Sequence, residues 1–198
     1  MKTMSDINTI LVHDWLNGMR GGERVLEILC DMFPDAPIYT LFYEPSKVSA
    51  KIARHNIVTS KLNRIAFARN NHRLFLPFLP KTIESFQLPQ ADLIISTSHC
   101  VAKGIVPPEG SKHLCYSFTP MRYAWGFYHE YFGRNPLKKM ILKPILKQMR
   151  VWDKNSSVRV DQFVTLSKHV RRRINDFYER EAEIVYPPVA TTKWTPAP

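Results

Sequence analysis

The sequence predicts an α/β domain: a Rossmann-like, mostly parallel sheet flanked by helices. Three observations lead to that class. Short β-branched and aliphatic runs alternate with segments of helical period along the chain. The runs are brief and apolar, as strands covered on both faces are. Three of the 7 glycines fall in one stretch, "NGMRGGERVLEIL", between the first such run and the first helical pattern.

Thr9 to His13 is the first predicted strand, aliphatic and ended by polar residues. A helix over Glu23 to Phe33 follows, because Val25, Leu26, Leu29, Met32 and Phe33 recur at three- and four-residue spacing and Pro34 stops it. "PIYTLFY" (Pro37 to Tyr43) and "NIVTS" (Asn56 to Ser60) read as the second and third strands. Leu62 to Phe86 mixes basic and apolar residues with Pro77 and Pro80, which predicts two short helices with a break. Ala91 to Ser98 and His113 to Phe118 read as buried strands. "NPLKKMILKPILKQMRVWDK" is amphipathic: Leu137, Met140, Ile141, Ile145, Met149 and Trp152 fill one side, while Lys139, Lys143 and Lys147 stack at four-residue spacing. Pro144 is expected to kink it. Asp161 to Ser167 is a further strand, followed by the helix "KHVRRRINDFYERE" and a closing strand in Ala182 to Val189. The expected organisation is one domain over 1–188, with 189–198 as the start of a linker.

The net charge of +11 implies an anionic partner: nucleic acid, a phosphorylated small molecule or a lipid surface. The charge is unevenly placed. No acidic residue stands between Glu44 and Glu84, where there are eight cations, nor between Glu130 and Asp153, where there are six. Each run reads either as a solvated face or as a surface for an anion. No helix-turn-helix, zinc-finger or RNA-recognition signature is present, which argues against nucleic acid. Cys30, Cys100 and Cys115 are scattered, without metal-ligand spacing, and fit a reduced, cytoplasmic compartment. No apolar run approaches the roughly 20 residues of a membrane span. A soluble or peripheral protein is expected.

Sheets of this class bind ligands beyond the carboxyl ends of their strands. The segments to inspect are therefore Asp14 to Gly22, Ser96 to Gly104, Thr119 to Gly126 and Ser167 to Lys168. Glycines at a strand–helix turn serve the turn itself, or let backbone N–H groups and a helix N-terminus approach a phosphate. The order is neither GxGxxG nor that of a P-loop, so the motif alone leaves both readings open. His99 stands after a strand, with Ser96 or Ser98 as candidate caps, and is either a structural histidine or a ligand to a sugar hydroxyl or phosphate. "FTPMRYAWGFYHEYF" gathers Phe118, Tyr123, Trp125, Phe127, Tyr128, Tyr131 and Phe132 around Arg122. The aromatics read as core or as stacking faces for sugar rings. Arg122 reads as a fork for phosphate or carboxylate, because a buried unpaired charge is costly. The Lys139, Lys143 and Lys147 edge reads as solvated or as facing anionic lipid.

The segments "VHDWLNGMRGGERVLEIL", "LPQADLIISTSHCVAKGI", "TPMRYAWGFYHEYF", "WDKNSSVRVDQFVTLSKHVRRRI" and "IVYPPV" resemble, in order, the N-terminal domain of family 4 glycosyltransferases. Mannosyltransferases of bacterial polysaccharide synthesis are the nearest in kind. The resemblance implies the N-terminal, acceptor-side half of a GT-B fold. It implies retaining transfer of mannose or a related hexose from a GDP- or UDP-linked donor to a lipid-linked or polysaccharide acceptor. The place would be the cytoplasmic face of the membrane, with no metal or cofactor. Gly21 and Gly22 match the loop beside the donor phosphates. Asp14 and Trp15 match strand-end residues facing the acceptor cleft. His99 and Lys103 match "SHxxAKG", and Arg122, Tyr123 and Trp125 match "TPMRYxW". Asp14 and His99 are the titratable candidates for catalysis. Two positions depart from the family pattern: Phe118 stands where it has His, and Gly126 where it has Asp. The chain ends where the family's linker begins, so the C-terminal donor-binding domain is expected elsewhere. The alternative expectation is a non-catalytic or partner-dependent binding module at an anionic membrane surface.

Overall fold

The computed structural model describes residues 7–126 and 136–189. Each short apolar run becomes a parallel strand. The strands are β1 (Thr9–His13), β2 (Ile38–Thr40), β3 (Ile57–Thr59), β4 (Leu93–Ser98), β5 (Lys112–Ser117), β6 (Gln162–Thr165) and β7 (Ala182–Ile184). They form a 7-stranded sheet in the order β3-β2-β1-β4-β5-β6-β7. Every pairing is parallel. The α/β, Rossmann-like class read from the sequence is therefore the observed one. Strand order reverses at β1, where β4 pairs on the side away from β2. A crevice opens beyond the carboxyl ends of the strands at such a reversal.

The helices are α1 (Gly21–Met32), α2 (Ala50–Ala53), α3 (Ala66–Asn70), α4 (Leu79–Glu84), α5 (Arg122–Trp125), α6 (Pro136–Ser156) and α7 (Lys168–Tyr178). They cover both faces of the sheet. Ile10 and Val12 of β1 pack with Leu79 and Ile83 of α4 and with Leu146 and Met149 of α6. Leu11, between them, points the other way and packs with Leu26 and Cys30 of α1 and Ile52 of α2. All five residues of β1 are consequently buried. At about 25 cal/mol per Å², each such aliphatic side chain contributes about 2 kcal/mol to folding. A separate cluster joins Cys115 of β5 and Phe163 of β6 to Val170, Ile174 and Tyr178 of α7.

Several boundaries differ from the sequence expectation. Helix α1 starts at Gly21 rather than Glu23, because Glu23 turns back to accept the Arg20 backbone N–H at 2.9 Å. The second strand ends at Thr40. Leu41 and Phe42 leave the ladder but keep backbone bonds to Asp14 and Leu16. The 61–84 stretch is two 3-10 turns, Lys61–Arg64 and His72–Phe78, interleaved with α3 and α4. Pro77 lies in the second turn and Pro80 in the first turn of α4, where a missing N–H costs nothing. Helix α6 runs through Pro144. Neither Ser96 nor Ser98 caps a helix. The Ser96 hydroxyl is bonded to His113 Nε2 at 2.8 Å, and the chain after β4 forms only a 3-10 turn, Ala102–Gly104. Among the described residues no helix is long and apolar enough to cross a membrane.

Candidate functional site

A cleft of about 720 Å³ opens beyond the carboxyl ends of β1, β4, β5 and β6. The glycine turn, the histidine segment and the arginine–aromatic segment all reach it, although they lie far apart in sequence. Arg20, Arg24, Arg73 and Arg122 line it, and among the described residues Glu23 is the acidic one on its wall. Glu23 is already engaged by the Arg20 N–H and lies 4.0 Å from the Arg20 guanidinium. The wall is thus strongly cationic where α1 begins, and the helix dipole adds to the same sign.

The two adjacent glycines differ. A Cβ at Gly21 would meet nothing within 4 Å, so this backbone is open toward the cleft. A Cβ at Gly22 would lie 3.1 Å from Phe118 Cε2. A side chain at Gly22 would require the Phe118 ring to give by a few tenths of an ångström. Both glycines line the cleft; Gly21 leaves helix N–H groups approachable, and Gly22 also takes the Phe118 ring beside it.

Asp14 lies just past β1 and is fully buried. Its Oδ2 accepts the N–H groups of His99 (2.6 Å) and Cys100 (3.0 Å), and its Oδ1 those of Val101 and Ala102 (2.7 Å each). It also sits 3.0 Å from His99 Nδ1. Burial pushes this carboxyl up. The His99 charge and the hydrogen bonds from His99 outweigh that and bring it down to about 2. Asp14 is ionised, saturated and absent from the cleft wall, which leaves it no lone pair to act as a general base. Its work is to anchor the turn after β4 and to orient His99. An ionised carboxylate only accepts, so His99 Nδ1 carries the proton and Nε2 is the nitrogen left for a ligand. The His99 ring lines the cleft and packs edge-on against Trp15, centroids 4.6 Å apart. Trp15 is wedged between His99 and His72, the latter at 4.7 Å.

His13, the last residue of β1, adds a second fixed imidazole. The Thr97 hydroxyl donates to the Val12 carbonyl, so it accepts from His13 Nδ1 at 2.7 Å. Burial holds the His13 imidazole below the usual range, against the pull of Glu23 and Asp14. His72 is also held down, to about 4, by burial first and then by Arg73.

Lys103 does not reach the cleft. It is buried to 1% exposure, and its Nζ donates to the Asp153 carbonyl (2.6 Å) and Ser156 Oγ (2.7 Å). Asp153 Oδ1 stands 3.0 Å away as a charge contact rather than an aligned hydrogen bond. The expected substrate contact gives way to this pair because a buried ammonium needs an anion beside it. Trp125 is held by the same carboxylate. Its Nε1 donates to Asp153 Oδ2 at 2.6 Å, beside the Tyr178 hydroxyl at 2.8 Å, and its ring stacks on Phe177. Trp125, too, lies off the cleft wall, whereas Arg122 and Tyr123 are on it. Phe127, Tyr128, Tyr131 and Phe132 lie outside the described residues. Gly126 ends the first described segment, exposed, 3.7 Å from Arg173 Nη2 at the place of a Cβ.

Lys143 and Lys147 are exposed on α6, and the side chain of Lys139 lies outside the described ones. Sequence reasoning missed Arg20, Arg24, Arg73, His13 and His72. Arg20 and Arg24 flank the glycines and were legible from that position. Arg73 and His72 come from the 61–84 stretch, far from any strand end in sequence, and only the tertiary fold brings them to the cleft. The chain matches no known protein family and no curated protein.

Proposed function

We propose that the chain is the acceptor-side domain of a retaining glycosyltransferase, a family 4 enzyme with the GT-B architecture. It moves mannose or a related hexose from a GDP- or UDP-linked donor to a lipid-linked or polysaccharide acceptor at the cytoplasmic membrane face. The observation that carries the reading is the cleft at β1 and β4, where Gly21 leaves helix N–H groups open among four arginines. A nucleoside diphosphate leaving group develops negative charge as the bond from the anomeric carbon to its phosphate oxygen breaks and the glycosidic bond to the acceptor forms, and preorganised N–H groups and guanidinium ions stabilise it there. His99, aligned by Asp14, offers Nε2 to a sugar hydroxyl. A second, donor-binding domain completes the site in this reading.

Transfer of labelled hexose from GDP-mannose or UDP-glucose into lipid-extractable material by the full protein tests it. His99→Ala is expected to lower turnover by about a hundredfold. Equal turnover in the variant, or no transfer from any nucleotide-sugar, contradicts the reading.

One observation favours a second reading. Phe118 puts an apolar ring against Gly22, where the resembled family carries a histidine. In that reading the chain binds a phosphorylated ligand at an anionic membrane surface without turnover. Ligand binding together with absent transfer selects it.

A further inference from the structure

Four large apolar side chains stand out in water within one short stretch. Ile65 is 48% exposed, Phe67 60%, Leu74 67% and Phe78 61%. Two of them are joined. Half-buried Phe75 bridges Phe67 and Phe78, with ring centroids 6.2 and 6.5 Å away. The patch is also held from beneath, since Ala68, Leu76, Leu79 and Ile83 of the same stretch are fully or almost fully buried in the core. Monomeric domains rarely leave a contiguous apolar patch in water without a partner.

Charge identifies the partner. Lys61, Arg64, Arg73 and Lys81, in and beside the same stretch, are exposed, and no acidic residue occurs between Glu44 and Glu84. A second copy would bring the same cations into opposition. An anionic bilayer matches both features at once: aromatic rings settle at the headgroup–acyl boundary, and Lys and Arg meet the headgroups. The position fits too. His72 and Arg73 line the cleft, the next residue, Leu74, is exposed, and Phe75 after it is the ring that joins Phe67 to Phe78.

We propose that residues 61–81 are the surface by which the protein docks on an anionic lipid bilayer, with the mouth of the cleft at Arg73 set against the headgroups. This rests on the membrane-facing part of the proposed function, but places the contact on the α3–α4 stretch instead of the α6 lysines.

Flotation with phosphatidylglycerol-containing vesicles and with phosphatidylcholine vesicles tests the surface. The full protein binds the anionic vesicles. Phe67→Ser/Phe78→Ser keeps the wild-type circular dichroism spectrum and binds about tenfold more weakly or worse. Lys61→Gln/Arg64→Gln/Lys81→Gln loses about fivefold per cation removed. A dye attached through Phe67→Cys, selective because Cys30, Cys100 and Cys115 are buried, shifts to a blue-emitting state on anionic vesicles. Three results overturn the proposal: no binding to anionic vesicles; wild-type binding by the double-serine variant with loss in Lys143→Gln/Lys147→Gln; or duplex DNA binding that falls with the same serine substitutions. Transfer to a water-soluble acceptor is unchanged in the double-serine variant, so loss of docking and loss of the proposed activity are read separately.

Discussion

Asp14 and His99, 85 residues apart in sequence, meet at 3.0 Å beyond the carboxyl ends of β1 and β4. The carboxylate holds four successive backbone N–H groups as well as the imidazole. One side chain therefore fixes the turn after β4 and the tautomer of the histidine on the cleft wall.

Asp14→Asn keeps the shape but replaces one acceptor with a donor that faces backbone donors. We expect a loss of about 3 kcal/mol or more in unfolding free energy, read from urea denaturation. A loss below about 1 kcal/mol would show that the four amides find other partners.

Stability is expected to fall on acidification in two stages. His113 donates from Nδ1 to the Arg159 carbonyl (3.0 Å) and accepts the Ser96 hydroxyl at Nε2. Burial pushes its imidazole down to about 4 from 6.5, against the pull of Arg159 and Asp161. The unfolded chain thus takes up this proton first, so the contribution is complete above pH 6.5 and is lost as pH falls toward 4. Full loss is about 3 kcal/mol for so buried a group. His13 and His72 act in the same direction. Asp14, at about 2 against 3.8 unfolded, contributes above about pH 4 and loses that contribution as pH falls through 2. Denaturation across a pH series checks this, and His113→Gln should flatten the slope of its first stage.

Lys103 and Asp153 form a buried pair that also gathers Trp125 and Tyr178. Lys103→Met fills the volume but strands the carboxylate. Destabilisation of about 3–5 kcal/mol is expected. Affinity for a nucleotide-sugar should stay within about twofold of wild type while the protein is folded, because the lysine is off the cleft wall. An affinity loss without a stability loss would return Lys103 to the site.

The adjacent glycines should separate packing from binding. Gly22→Ala makes the half-buried Phe118 ring give by a few tenths of an ångström, and a stability change of no more than about 1 kcal/mol is expected. Gly21→Glu has open space and places a carboxylate at the N-terminus of α1, so stability is unchanged or higher by up to about 1 kcal/mol. The same carboxylate repels a diphosphate, and pyrophosphate affinity should drop. Thermal unfolding and calorimetric titration of the two variants give the contrast.

The fold was legible because its strands are local signals. The "TILVH" and "LIISTS" runs are apolar on both faces and appear as β1 and β4 in their predicted places. The candidate site was legible only as a set of strand-end segments that the fold brings to one cleft. What each residue does there depends on partners distant in sequence. Ser96 and Ser98 were natural caps by proximity, yet the turn after β4 is held by Asp14 from the neighbouring strand. Lys103 sits in a motif beside His99, but its anion comes from α6, 50 residues on. Gly22 carries no sign in sequence that Phe118 will press against it. The Phe67–Phe75–Phe78 chain was hidden for a related reason. Residues of alternating exposure in a 3-10 and α mixture show no single helical period.

In the proposed function a diphosphate meets the open backbone at Gly21, among Arg20, Arg24 and Arg122. Amide shift mapping of the ¹⁵N-labelled protein titrated with GDP-mannose, and with pyrophosphate alone, tests it most directly. Saturable shifts are expected at Gly21 to Arg24 with both ligands, joined by His99 to Cys100 with the sugar nucleotide. Unmoved Gly21 and Gly22 resonances at saturating ligand, or shifts confined to another part of the sheet, would contradict it.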